Sequence, residues 1–190
     1  MTKRKNIDNQ REVFWQWESL FNASEIKNLN KAVKNNLNSD GIDNPANVTK
    51  TSKVEFCLYK DLKPYLYDIL ERVKLTNKEH FGYSIYDIND YDLIHINTYS
   101  SKNKGRYDWH IDANRTWTND IKFTVLINIS EKKYDGGNFF LFQMGPMEII
   151  SLSKPGTVVM FQSWIPHKVL PVIAGSRKTI AIFVKGPRFV

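Results

Sequence analysis

The sequence predicts a mainly β protein: a double-stranded β-helix, or jelly roll, of eight strands, with helices packed outside and an N-terminal α/β elaboration. Three observations carry this expectation. From residue 91 onward, short apolar segments separated by turn residues follow one another, as in a two-sheet β domain. Before residue 91, apolar residues recur mostly at helical spacing. The last β segment is apolar on both faces, as a strand covered on both sides must be.

The elements follow in order. In SEIKNLNKAVKNNLNSDG, residues 24–41, Ile26, Leu29, Val33 and Leu37 share a helical face, with Ser24 as N-cap and Gly41 as stop. DGIDNPANVTKTS reads as a loop, rich in Asp, Asn and one proline. KVEFCLYK alternates like a strand and makes Cys57 a small buried residue rather than a reactive thiol. DLKPYLYDILERVKL reads as a second helix, with Asp61 before it and Pro64 in its first turn. Its buried face is Leu62, Leu66, Ile69 and Val73. The eight β segments are 92–100, 105–111, 121–129, 138–142, 147–151, 157–162, 167–172 and 177–185, with turns at DGGN (135–138) and KPG (154–156). In the last, Ile180 and Ile182 face one way, Ala181 and Phe183 the other. The chain thus divides into a support region, 1–90, and a β core, 91–186, of one domain spanning 1–190.

Composition narrows the function classes. One cysteine among 190 residues excludes a disulfide framework and a Cys-rich zinc site. The net charge of +7 permits nucleic acid or an acidic partner. The lysines are scattered apart from KRK at 3–5, however, which suits a solvated surface. No apolar run reaches the roughly 20 residues of a membrane span. The charged N-terminus lacks the apolar stretch of a signal peptide. The expectation is a soluble cytoplasmic protein.

The stretch DWHIDANRTW, residues 108–117, carries the chemistry. Along a strand, residues i and i+2 share a face. His110 and Asp112 can therefore aim at one point, while Trp109 and Ile111 turn away into packing. A lone His-x-Asp is common by chance, and two ligands hold a metal poorly. His167, in QSWIPHKVLPV, opens a late strand that a jelly roll can lay beside the one carrying His110. Two histidines and one carboxylate on one face form the facial triad of non-haem Fe(II) sites, which leaves positions open for a chelating cosubstrate and dioxygen.

Ten residues later, SRKTIAIFV puts Arg177 and Thr179 on the inward face with Ala181 and Phe183. A buried guanidinium needs an anion. A small dicarboxylic acid fits: one end on the metal, the other in a bidentate link to Arg177 and a hydroxyl bond from Thr179. The alternative is an exposed arginine after the AGSRK turn.

Together, HID, PHKV and GSRKT resemble the Fe(II)/2-oxoglutarate-dependent dioxygenases, in their prolyl 4-hydroxylase-like branch. NTYSSKNKGRYDWHID, DGGNFFLF and KPGTVVMFQS extend the likeness over about residues 91–186. The resemblance implies a cupin-like double-stranded β-helix and iron on His110, Asp112 and His167. It also implies 2-oxoglutarate on Arg177, with Tyr99 lining its pocket and ascorbate as an accompanying reductant. Tyr99 is otherwise a core tyrosine. Some relatives place a tyrosine on the third strand against 2-oxoglutarate; here the matching position is Asn128. Asn128 and Thr124, polar on an inward face, are second-rank cosubstrate candidates.

The implied reaction consumes 2-oxoglutarate and dioxygen, releases succinate and carbon dioxide, and hydroxylates a C–H bond. The resemblance favours a prolyl or other amino-acid side chain, in a peptide or protein or as a free amino acid. Tyr107, Arg115, Trp117 and Trp164 flank the metal ligands in sequence and are the candidate substrate residues, or else ordinary rim side chains. Oxidative nucleic-acid demethylation is the rival within the class, but that branch carries a second arginine six residues after the first, where this chain has Phe183. A non-catalytic jelly-roll binding module is the rival outside it.

Overall fold

The computed structural model describes residues 12–38, 49–113 and 120–188, with the backbone of 42–43. In chain order its strands are β1 (Phe14–Trp17), β2 (Ile42–Asp43), β3 (Lys50–Thr51), β4 (Lys53–Leu58), β5 (Leu93–Ser100), β6 (Arg106–His110), β7 (Asp120–Asn128), β8 (Asp135–Gly136), β9 (Phe139–Phe142), β10 (Pro146–Glu148), β11 (Val158–Gln162), β12 (His167–Val169), β13 (Val172–Ala174) and β14 (Ser176–Gly186). The helices are α1 (Ala23–Asn35) and α2 (Tyr59–Thr76).

Two antiparallel sheets face each other in a jelly roll. The larger runs β1-β11-β7-β14-β5-β4-β2 and the smaller β10-β9-β12-β6-β3. Each of the eight expected β segments contributes a strand, and the first half adds four more. β1 caps one edge of the large sheet by pairing Phe14 with Phe161 through Trp17 with Val158. β4 and β2 extend the other edge, and β3 joins the small sheet beside β6. Two segments are shorter than expected. The stretch 147–151 leaves the sheet at Glu148 and turns through a 3-10 segment at Ile150–Ser153. The stretch 167–172 breaks into β12 and β13 around Pro171, which has no N–H for a ladder.

Both helices lie on the outer face of the large sheet. Leu29, Val33, Leu62, Leu66, Ile69 and Val73 pack there. They meet the outward residues of β5, β7, β11 and β14, such as Ile96, Val125, Met160, Ile180 and Ile182. α1 begins two residues earlier than expected. Asn22, not Ser24, is the N-cap; its Oδ1 accepts from the backbone N–H of Ser24 and Glu25, and the Glu25 carboxylate accepts from the Asn22 N–H. The helix ends at Asn35, so Leu37 falls beyond it and is exposed; Gly41 lies outside the described residues. α2 starts at Tyr59, which places Asp61 inside its first turn and Pro64 within the helix. Cys57 is buried, with its thiol toward the Val33 carbonyl.

A second core fills the space between the sheets: Tyr99, Leu126, Phe139, Leu141, Phe161 and Val169 among others. β14 holds the middle of the large sheet. On one side it pairs Arg177 with Tyr99 and Thr179 with Asn97 of β5. On the other it pairs Thr179 with Asn128 and Ala181 with Leu126 of β7. Its inward face lines the cavity between the sheets. No described helix is long and apolar enough to cross a membrane.

Candidate active site

The last residue of β6, His110, is register partner to the first residue of β12, His167. Asp112 lies two residues past the end of β6. The backbone N–H groups of Asp112 and Ala113 both donate to the Ser163 carbonyl, at 2.9 and 3.0 Å, which fixes the turn that swings the carboxylate back. His110 Nε2 is 3.6 Å from Asp112 Oδ1, and His167 Nε2 is 3.2 Å from Asp112 Oδ2. The three side chains offer ligand atoms all within 4.8 Å of one another.

The other ring nitrogens explain why these atoms can act as ligands. His110 Nδ1 is 2.7 Å from the Asp108 carbonyl, and His167 Nδ1 is 3.0 Å from the Ile165 carbonyl. A carbonyl only accepts, so each Nδ1 carries the proton and each Nε2 turns a lone pair inward. Two lone pairs and a carboxylate meet there, and a cation is what they can share. Burial, reinforced by neighbouring His167, pushes the His110 imidazole down to about 4, so that it is neutral near pH 7. Burial alone would raise the Asp112 carboxyl. The His167 and His110 imidazoles, wherever they take up a second proton, and the Thr124 hydroxyl outweigh it and hold the carboxyl below its usual range. Thr124 Oγ1 donates to Asp112 Oδ2 at 2.8 Å, so this inward threonine positions the carboxylate.

Trp109 and Ile111 turn away from this point, but into solvent rather than packing, at 36% and 51% exposed. Among the described residues, the outer face of the small sheet carries no helix comparable to those on the large one. Trp109 meets the Phe142 ring edge-on and has Lys168 Nζ over its own ring at 4.6 Å.

From the three ligands a cavity of about 220 Å³ runs between the sheets. Arg177 and Thr179 line it, and both are buried. Arg177 Nη2 has no hydrogen-bond partner among the described residues. Tyr99 lines the cavity beside it, with the guanidinium carbon 5.6 Å from the ring centroid. Burial raises the Tyr99 phenol, which therefore stays protonated and able to donate. Gly137, from the DGGN turn, has a φ of +65°, and a Cβ there would stand 2.9 Å from Arg177 Cδ. Glycine lets the chain pass under the arginine.

Asn128 is not at the cavity wall. Its amide nitrogen donates to the Leu152 carbonyl (2.8 Å) and the Tyr134 hydroxyl (3.0 Å), and its oxygen accepts from Ser130 N–H (3.0 Å). The inward polar position serves the Ile150–Ser153 turn instead of a ligand. Tyr107 lines the cavity and stacks on His110, with ring centroids 3.3 Å apart. Trp164 packs edge-on against Tyr83 at 5.4 Å, away from the cavity lining. Arg115 and Trp117 lie outside the described residues.

Three polar lining residues escaped the sequence reading: Lys50, His95 and Asn97. His95 and Asn97 alternate with Tyr99 on the inward face of β5, a period-2 pattern that was readable. Lys50 sits in a stretch that reads as a loop, and its place depends on pairing with Tyr107 across the sheet. No local signal announces that pairing. Burial, then the charge of Lys50, pushes the His95 imidazole down to about 4.

The arrangement matches known proteins. Residues 94–185 match the family model of the 2OG-Fe(II) oxygenase superfamily. A PKHD-type hydroxylase of Synechococcus sp. (strain CC9605) is 33% identical over 73 residues, covering 37% of this chain and 32% of that protein, so the match spans about a third of the relative. Among solved structures, a Pseudomonas putida prolyl-4-hydroxylase superposes with a TM-score of 0.68 at 16% identity, over 94% of each chain. A Trichoplax adhaerens prolyl hydroxylase, in complex with a hypoxia inducible factor oxygen degradation domain peptide fragment, gives a TM-score of 0.63 at 16% identity, over 90% of this chain and 83% of that one.

Proposed function

We propose that this protein, whose residues 94–185 match the family model of the 2OG-Fe(II) oxygenase superfamily, is an Fe(II)- and 2-oxoglutarate-dependent dioxygenase that hydroxylates a prolyl or other amino-acid side chain. One observation carries the reading. A buried guanidinium whose Nη2 has no partner among the described residues stands in the same small cavity as a His/Asp/His cluster whose lone pairs converge. A molecule with a carboxylate at one end and a chelating oxo-acid at the other answers both.

In this reading His110, Asp112 and His167 hold the iron. Arg177 and Thr179 take the distal carboxylate of 2-oxoglutarate, and the Tyr99 hydroxyl donates from the side. Leu126, Phe139, Val169 and Ala181 line the cavity and keep water from the reacting centre. When bound, iron and 2-oxoglutarate supply the oxidation: dioxygen is consumed, 2-oxoglutarate leaves as succinate and carbon dioxide, and a substrate C–H bond gains the hydroxyl. The chain's own part is to bind and orient, so no strong side-chain acid or base is needed. Ascorbate would act as external reductant.

A peptide or protein is the favoured form of the substrate; a fold neighbour carries a peptide. Tyr107 is the proposed rim contact among the described residues, with Arg115 and Trp117 proposed beside it; Trp164, packed on Tyr83, would act only from further out. Nucleic-acid demethylation is disfavoured by Phe183, which occupies the position of a second arginine and packs its ring against His95 at 4.9 Å.

The test is anaerobic addition of Fe(II) and 2-oxoglutarate. A weak visible charge-transfer band is expected; a flat spectrum would favour a non-catalytic binding module. Mass spectrometry of proline-containing peptides and methylated oligonucleotides then separates the two enzyme readings.

A further inference from the structure

The cavity carries two cationic side chains, and a dicarboxylate on the metal needs only one of them. Arg177 lies at the level of Tyr99. Lys50 is held two residues further along β5, where its Nζ donates to Asn97 Oδ1 at 3.0 Å. A two-residue step along a strand is roughly 6.6 Å. The ammonium also stands 4.6 Å from the centroid of the Tyr107 ring, and that ring stacks on His110. Lys50 is thus beside the metal ligands, on the side of the cavity lined by His95 and Phe183.

An ammonium has three N–H donors, and Asn97 takes one. Among the described residues no carboxylate lies within ion-pair distance of Lys50 Nζ. The charges in the site point the same way. A divalent ion, Arg177 and Lys50 together outweigh Asp112 and a doubly charged 2-oxoglutarate by one positive charge. A half-buried cation with spare donors calls for an anion.

We propose that Lys50 is a specificity-determining residue that binds a carboxylate on the molecule to be hydroxylated, so that the substrate is anionic where it enters the cavity. This rests on the 2-oxoglutarate reading above. The carboxylate belongs either to a free amino acid or to an acidic side chain beside the target residue in a peptide. Tethering that carboxylate at Lys50 sets the neighbouring C–H bond next to His110, which is the positioning that hydroxylation requires.

The experiment is calorimetric titration of the anaerobic Fe(II)·2-oxoglutarate complex with two matched probe sets. One is the free L-amino acids against their carboxamides. The other is end-blocked pentapeptides with proline flanked by Asp or Glu against the same peptides with Asn or Gln. In wild type, the tightest probe should be a carboxylate form, and its neutral counterpart should bind roughly ten- to a hundredfold more weakly. Lys50→Met should erase that difference, and Lys50→Arg should retain it. The set containing the tightest probe identifies the source of the carboxylate. The proposal is overturned if no carboxylate probe binds, if acid and amide forms bind alike, if Lys50→Met still discriminates, or if Lys50→Met weakens 2-oxoglutarate more than the probe. Failure of wild type to bind 2-oxoglutarate in the same calorimeter would instead bring down the function proposed above.

Discussion

Arg177 and Tyr99 are register partners across the β14–β5 ladder, and the guanidinium stands against the tyrosine ring with Gly137 passing beneath its stem. Tyr99 and Gly137 therefore hold an arginine that has no anion of its own among the described residues. A side chain already fixed loses little freedom when its ligand arrives. Arg177→Lys should weaken 2-oxoglutarate by roughly 2–5 kcal/mol, because a lysine cannot reproduce the planar two-donor fork. Dissociation constants measured anaerobically for both proteins decide it; equal constants would remove Arg177 from the cosubstrate site.

Gly137→Ala tests the same site from below. The left-handed backbone costs a non-glycine residue about 1–2 kcal/mol, and the new methyl group would push on Arg177 Cδ. We expect a lower melting temperature and weaker 2-oxoglutarate binding together, with Fe(II) affinity unchanged. A variant that binds 2-oxoglutarate as wild type does would show that the arginine moves freely.

The metal ligands make a sharper case. His110→Ala or His167→Ala should abolish succinate formation while leaving the circular dichroism spectrum intact. Thr124→Val keeps the shape but removes the bond to Asp112, and should lower Fe(II) affinity by roughly ten- to a hundredfold. Fe(II) titration followed by absorbance reads both; full turnover in either histidine variant would refute the ligand assignment.

His95 sets a pH dependence. Its imidazole is depressed from 6.5 to about 4, first by burial. Between those values the unfolded chain takes up the proton and the folded chain does not, so stability falls as the pH falls through this window and is flat above it. Thermal melts of the metal-free protein from pH 7 to pH 4 should show this decline, and His95→Gln should make it shallower. An unchanged slope would place the titration elsewhere.

What could be read from the sequence was whatever depends on short-range periodicity. The eight β segments, the buried faces of both helices and the inward set Arg177, Thr179, Ala181 and Phe183 follow from periods of 2 and 3.6. His110 and Asp112 converge even though the strand ends at His110, because the turn anchored on Ser163 completes the approach. What escaped depends on pairing between distant segments. Lys50 enters the cavity only because β3 lies along β6, and β1 reads as an unremarkable aromatic stretch until it meets β11. Asn128 misled for a related reason. An inward polar residue signals an unmet partner, but periodicity cannot say whether that partner is a ligand or a turn 24 residues away.

The placement of β14 between β5 and β7 has a consequence for biosynthesis. This strand, Ser176–Gly186, is made after every other strand of the large sheet, yet it joins the sheet's two halves. While the ribosome still holds it, β5 and β7 each expose an unpaired edge, and the half-site lacks its arginine. The large sheet therefore closes only once β14 has been made, and such open edges are the surfaces through which nascent chains aggregate. The three proposed metal ligands precede Arg177 in order of synthesis, so the proposed iron site is complete in sequence before the proposed cosubstrate arginine is added. A chain released before residue 176 would carry the three proposed metal ligands without the proposed cosubstrate arginine, and would leave the β5 and β7 edges open.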